Sequence, residues 1–202
     1  MGKFLFGLIL GILIVPLGGY LYFRNGYAPV AASAAPMPFE KSAARMALHA
    51  RIAKEAPKSS PISADDQGLM AGAQVYRENC AVCHGQPGKP SSNIAKGMFP
   101  QPPHLFEDPV TDDPVGQTYW KVANGIRMTG MPGFSRTLSD TQLWQVSLML
   151  AAADKLPAAV QAALAEPLAE RKMADPDSSK DLNQPQGADT KGKTSTHKGQ
   201  KK

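Results

Sequence analysis

The sequence predicts an all-α protein: a small helical domain, preceded by an N-terminal transmembrane helix and followed by a disordered tail. Three observations predict it. Phe4 to Phe23 is a run without a single charge. Two stretches with helix-starting caps, near Ser63 and Ser139, bracket a Gly- and Pro-rich middle that contains no run of strands. From Asp175 onward almost no apolar residue remains.

The apolar run of residues 4–23 is about 30 Å long as a helix, enough to cross the hydrocarbon of a bilayer. Tyr20 and Tyr22 fall where an interfacial aromatic belt would lie. A cleaved signal peptide is the competing reading, and Ala32-Ser33-Ala34 offers it a cleavage site. The length of the run exceeds the usual apolar region of such a peptide and favours an anchor over residues 1–24. Gly7 and Gly11 match the small-residue spacing of helix dimers, but one match in a Gly-rich span is weak. Pro16 is compatible with a spanning helix.

Residues 25–62 read as a linker with an internal helix. Residues 28–38 carry three prolines and no patterned apolar face. Glu40 to Glu55 suits a basic amphipathic helix, with Met46 and Ile52 toward one side and Lys41, Arg45, Arg51 and Lys54 around it. Two fates are open to it: contact with anionic headgroups or a partner subunit, or service as a solvated spacer. The net charge of +5 and pI ≈ 9.2 raise the question of nucleic acid. Residues 63–156 answer it, since they hold seven basic and nine acidic side chains. The basicity lies in the flanks, and a nucleic-acid function fails for the domain.

The domain opens at Ser63, which with Asp66 fits a capping box and predicts a helix from about Ala64 to Asn79. That helix delivers Cys80-Ala81-Val82-Cys83-His84. A C-x-x-C-H run is the grammar of c-type haem attachment. Two thiols one helical turn apart can each add across a porphyrin vinyl group, and the adjacent imidazole falls under the iron as an axial ligand. A thioredoxin-like pair would want a βαβ context, a structural zinc site would need four ligands, and neither reading uses the adjacent histidine.

A Gly- and Pro-rich passage follows to about Gly116, long for an idle loop. A porphyrin would give such irregular backbone a core to wrap. Gln117 to Asn124 then reads as a short helix stopped by Asn124-Gly125, with Tyr119 and Trp120 covering the haem edge or closing the core. The next loop, Gly125 to Phe134, contains Gly130-Met131-Pro132. Glycine and proline on either side help aim the thioether of Met131 as the sixth ligand. Met128 is its competitor, and His104, otherwise a surface loop histidine, is a bis-His alternative. Ser139 and Gln142 form a second capping box for a helix running to about Leu156, before Pro157.

With these residues in place, the stretch of roughly 63–156 resembles the class I monohaem cytochromes c, which carry C-x-x-C-H near the front and a Gly-Met-Pro ligand loop before the last helix. The resemblance implies covalent haem c held by Cys80 and Cys83, with iron ligated by His84 and Met131. It implies that the Gly72–Tyr76 face of the first helix meets the last helix. It also implies that a backbone carbonyl of the proline-rich stretch, Pro102 or Pro103, holds the second ring nitrogen of His84. Family members receive haem outside the cytoplasmic membrane, so the expected topology is a single-pass inner-membrane protein with the haem domain in the periplasm. Its expected work is single-electron transfer between respiratory or dehydrogenase partners, as redox proteins or membrane complex subunits. It would be a carrier and not an enzyme. Two other classes compete: a haem protein with an open sixth position, acting as peroxidase or gas sensor, and an assembly subunit whose flanks matter more than its haem.

Beyond the domain, residues 157–174 are Ala/Glu-rich and suggest a helical extension interrupted at Pro167. Residues 175–202 hold six lysines and four aspartates and have the composition of a disordered basic tail.

Overall fold

The structure, a computed structural model, describes residues 1–168, so the expected tail of residues 175–202 lies outside the described residues. Eight helices and no strand occur among them. The first, α1 (Gly2–Arg24), is long and apolar enough to cross a membrane, and none of its residues is buried by the rest of the chain. Helix α2 (Glu40–Glu55) has the predicted span. It is neither a free spacer nor wholly available to a surface, because Ile52 is buried at 2% exposure while Met46 stays 72% exposed.

Helix α3 (Asp66–Asn79) starts two residues later than expected. Its cap is Asp65, whose Oδ1 accepts from the Gly68 N–H at 2.7 Å. Ser63 lies outside the first turn and takes no part. A carboxylate here also suits the positive end of the helix, which explains why Asp65 wins over a hydroxyl two residues upstream. Two single-turn helices follow, α4 (Ala81–His84) and α5 (Asn93–Lys96). Then come α6 (Val115–Asn124), α7 (Asp140–Ala151) and α8 (Ala158–Ala165).

The Ser139–Gln142 capping box is present, with both reciprocal bonds made. Helix α7 ends at Ala151, earlier than Pro157 demands; residues 152–156 turn, and Pro157 caps α8. Helix α8 stops before Glu166-Pro167, where the interruption was expected, and residues 169–174 of the expected extension lie outside the described residues. It packs on α3 and buries Val160 and Leu164.

The frame of the domain is the crossing of α3 and α7. A Cβ on Gly72 would sit 2.7 Å from the Gln145 carbonyl carbon and 2.9 Å from the Met149 Cβ, so only glycine lets the backbones approach this closely. Tyr76 and Met149 are fully buried around the crossing. Helix α6 packs on α7, with the Tyr119 ring stacked on Trp144 at 4.1 Å. Helix α2 in turn packs on α6. There Trp120 Nε1 donates to Glu55 Oε2 at 3.2 Å. Gly116 leaves room for the Pro57 carbonyl, which a Cβ would overlap.

Candidate functional site

The site begins where α3 runs out. The Cys80 N–H still donates to Tyr76 O at 2.8 Å, and Cys80 O accepts from the Cys83 and His84 amides at 3.0 and 2.9 Å. One turn therefore carries Cys80, Cys83 and His84 onto the wall of a single cleft. The thiols are not bonded to each other. Burial, and then the neighbouring Cys83, push the Cys80 thiol up to about 12, so it stays protonated at neutral pH.

His84 is held on two sides. Its Nδ1 lies 2.9 Å from Pro103 O, and its carbonyl accepts from the Leu105 N–H at 3.2 Å. A carbonyl only accepts, so Nδ1 carries the proton and Nε2 keeps a lone pair for a metal. The choice between Pro102 and Pro103 resolves to Pro103. Burial holds the imidazole below its usual range, the Pro103 bond opposes this, and nearby His104 lowers it further.

The second wall comes from the loop after α6. Gly125, at φ +68, turns the chain where any Cβ would press on Gly133 N and the Pro132 carbonyl carbon. Thr129 Oγ1 donates to Ile126 O at 2.7 Å and accepts from the Met131 N–H at 3.1 Å, while Ile126 N–H donates to Met131 O at 3.2 Å. The loop is tied shut, and Met131 lines the cleft. Met128, at φ +61, is 92% exposed and points away from it.

Several sequence expectations need correction. Of the two roles open to Tyr119 and Trp120, covering the haem edge is not taken, since neither lines the cleft; Tyr119 packs on the core through Trp144 and bonds Asp140, and Trp120 bonds Glu55. His104 is not a surface histidine. It is 7% exposed, its Nε2 engages Lys89 O at 2.9 Å, and it does not line the cleft. Met98 was missed. It brings a second thioether to the cleft, with its methyl where a Cβ on Gly130 would lie. Only the dipeptide Gly97-Met98 in an irregular loop marked it, and no periodicity revealed its direction.

The cleft holds about 800 Å³ counting its open mouth. Its walls are apolar side chains, among them Leu105, Val122, Ile126, Pro132, Phe134 and Leu150. Two free thiols, one free imidazole nitrogen and two thioethers, those of Met131 and Met98, meet in it. This donor set fits haem c: thiols for two vinyl groups, one nitrogen and one sulfur for iron, and apolar walls for a flat macrocycle. No group of three His, Cys, Asp or Glu able to hold a bare metal ion occurs among the described residues.

Residues 67–148 match the profile of a family described as cytochrome c oxidase, cbb3-type, subunit III. The match spans both Cys80-Ala81-Val82-Cys83-His84 and Met131. No curated protein matches the chain. Among solved structures, a chain of the reducing HAO-like protein complex of Kuenenia stuttgartiensis is 22% identical over 48% of this chain, with a TM-score of 0.40. The aligned part also covers 48% of that chain, about half its length.

Proposed function

Because residues 67–148 form a class I c-type cytochrome domain, we propose that the chain is a membrane-anchored monohaem electron carrier. In this reading Cys80 and Cys83 hold haem c through thioethers, and His84 and Met131 are the axial ligands of its iron. The observation that carries it is the paired aim of two side chains. The Pro103 carbonyl fixes the tautomer of His84 and frees Nε2, while the bonded loop puts Met131, and not Met128, in the same cleft.

Bound there, haem supplies a one-electron Fe(II)/Fe(III) couple. The chain's own part is to keep that couple low-spin and steady. Leu105, Val122, Phe134 and Leu150 exclude water from the cleft wall. The hydrogen bonds of Thr129 and Ile126 hold the ligand loop against displacement. A Met/His pair raises the potential relative to harder donors. Helix α1 would hold the domain on the periplasmic side of an inner membrane, near respiratory or dehydrogenase partners, and raise its effective concentration there.

The test is a reduced-minus-oxidised visible spectrum of the full chain matured with covalent haem, repeated under carbon monoxide. Low-spin c-type bands unmoved by carbon monoxide are expected. Bands that shift would mean an open sixth position, and the peroxidase or gas-sensor function would replace electron carriage. Absence of covalent haem would end both.

A further inference from the structure

His104 stands between the two backbone groups that grip His84. Pro103, before it, accepts from His84 Nδ1, and Leu105, after it, donates to the His84 carbonyl. The His104 ring itself turns to Lys89, with Nε2 2.9 Å from the carbonyl oxygen. Since that oxygen can only accept, Nε2 carries the proton. Nδ1 is then a bare lone pair, buried and without a hydrogen-bond partner. Buried polar atoms in native structures are nearly always satisfied, so an orphan is retained for a reason.

Its surroundings suggest the reason. The ring fills the space that a Cβ on Gly85 would occupy, and Gly85 directly follows His84 at φ +79. The Gly85 carbonyl is pinned by Tyr76 Oη at 2.8 Å. The ring therefore bridges the chain leaving His84 to the segment at Lys89, while its own backbone neighbours hold His84. A side chain serving only to fill volume would not need a bond to Lys89 at the expense of an unmet nitrogen.

We propose that His104 is a positioning residue for His84: its Nε2–H bond to Lys89 locks the Pro103–Leu105 segment against His84 and so sets how firmly Pro103 holds the Nδ1 proton. This rests on the reading of His84 as the iron ligand. A firmly held Nδ1–H makes the imidazole a stronger donor through Nε2, and a slack one makes it weaker. A weaker donor stabilises ferric iron less, which raises the midpoint potential.

The experiment compares the full-length holoprotein with His104→Leu and His104→Gln, reading the midpoint potential and the exchange of the His84 Nδ1 proton by NMR in the reduced state. His104→Leu is expected to raise the potential and speed that exchange about tenfold, the loss of roughly one net hydrogen bond of local stability. His104→Gln, which keeps an N–H donor for Lys89 O, is expected to stay near wild type. Unchanged potential and exchange in folded His104→Leu overturn the proposal, as does His104→Gln behaving like His104→Leu. If His104→Leu does not fold, nitrogen-15 NMR of the wild-type histidines decides. An Nε2–H tautomer with slow exchange supports the lock, and an Nδ1–H tautomer overturns it. A wild-type spectrum without low-spin bands would instead remove the ligand reading itself.

Discussion

Two methionines three residues apart have opposite fates, and the difference lies in backbone more than in side chain. Met128 sits at φ +61 and faces solvent, whereas the Met131 amide is bonded to Thr129 Oγ1 and its side chain lines the cleft. Met131→Ala is therefore expected to open the sixth position and give a reduced spectrum that shifts under carbon monoxide. Met128→Ala should leave the spectrum as it was. If Met98, the other thioether in the cleft, takes over the coordination, Met131→Ala would resist carbon monoxide, and the double variant would not. Tyr119 offers a second test at this scale. Its hydroxyl donates to Asp140 Oδ1 at 2.5 Å, and that bond, with burial and the carboxylate charge adding to it, raises the phenol to about 12. The unfolded phenol ionises near 10, so the stabilisation from this contact is complete below that pH and fades as pH rises toward about 12. Ultraviolet titration should find two tyrosines ionising late, Tyr76 because it is fully buried and Tyr119 because of Asp140, and Asp140→Ala should return only Tyr119 toward the ordinary range.

Elements were legible where their signals are local. The Ser139–Gln142 box and the stop at Gly125 are carried by adjacent residues, and both stand as read. The span of α2 was legible for the same reason, but its burial was not, because the helix it packs on, α6, lies some sixty residues away. Pro103 could not be told from Pro102 since a carbonyl's direction depends on the path of the whole loop. For Trp120 the haem edge and the core both stayed open, because composition does not say which face of a ten-residue helix turns inward. At the start of α3 three cap-competent residues, Ser63, Asp65 and Asp66, lie within four positions, and local pattern alone does not rank them. The structure ranks them through one bond. Asp65→Ala should cost about 1 kcal/mol in chemical denaturation, the usual worth of an N-cap. Ser63→Ala should cost close to nothing, and equal losses from the two would contradict the observed start of the helix.

For the whole molecule, the docking of α2 shortens the free chain between α1 and the domain, which is the leash if α1 spans a membrane as proposed. If residues 25–62 were all free, the extended reach from α1 would be roughly 130 Å. With α2 packed on α6, its Ile52 buried and the Trp120–Glu55 bond made, only residues 25–39 remain to pay out, roughly 50 Å at full stretch. On the proposed anchoring by α1, a shorter leash would confine the cleft to a thinner layer over the bilayer and raise its effective concentration toward membrane partners without any new contact. Ile52 is the residue on which this depends, since it is the fully buried side chain of α2. Ile52→Asp would place an unpaired charge in that seat, and α2 would leave α6 before the charge was buried. In vesicles holding the full-length holoprotein, energy transfer from a dye on the domain to a membrane dye should fall on Ile52→Asp. Cleavage by trypsin at Arg51 and Lys54 should rise. The visible spectrum should not move, because the cleft takes no side chain from α2. Unchanged energy transfer with unchanged cleavage would mean that the leash is set elsewhere, and that the packing of α2 has no bearing on how the cleft is held near the membrane.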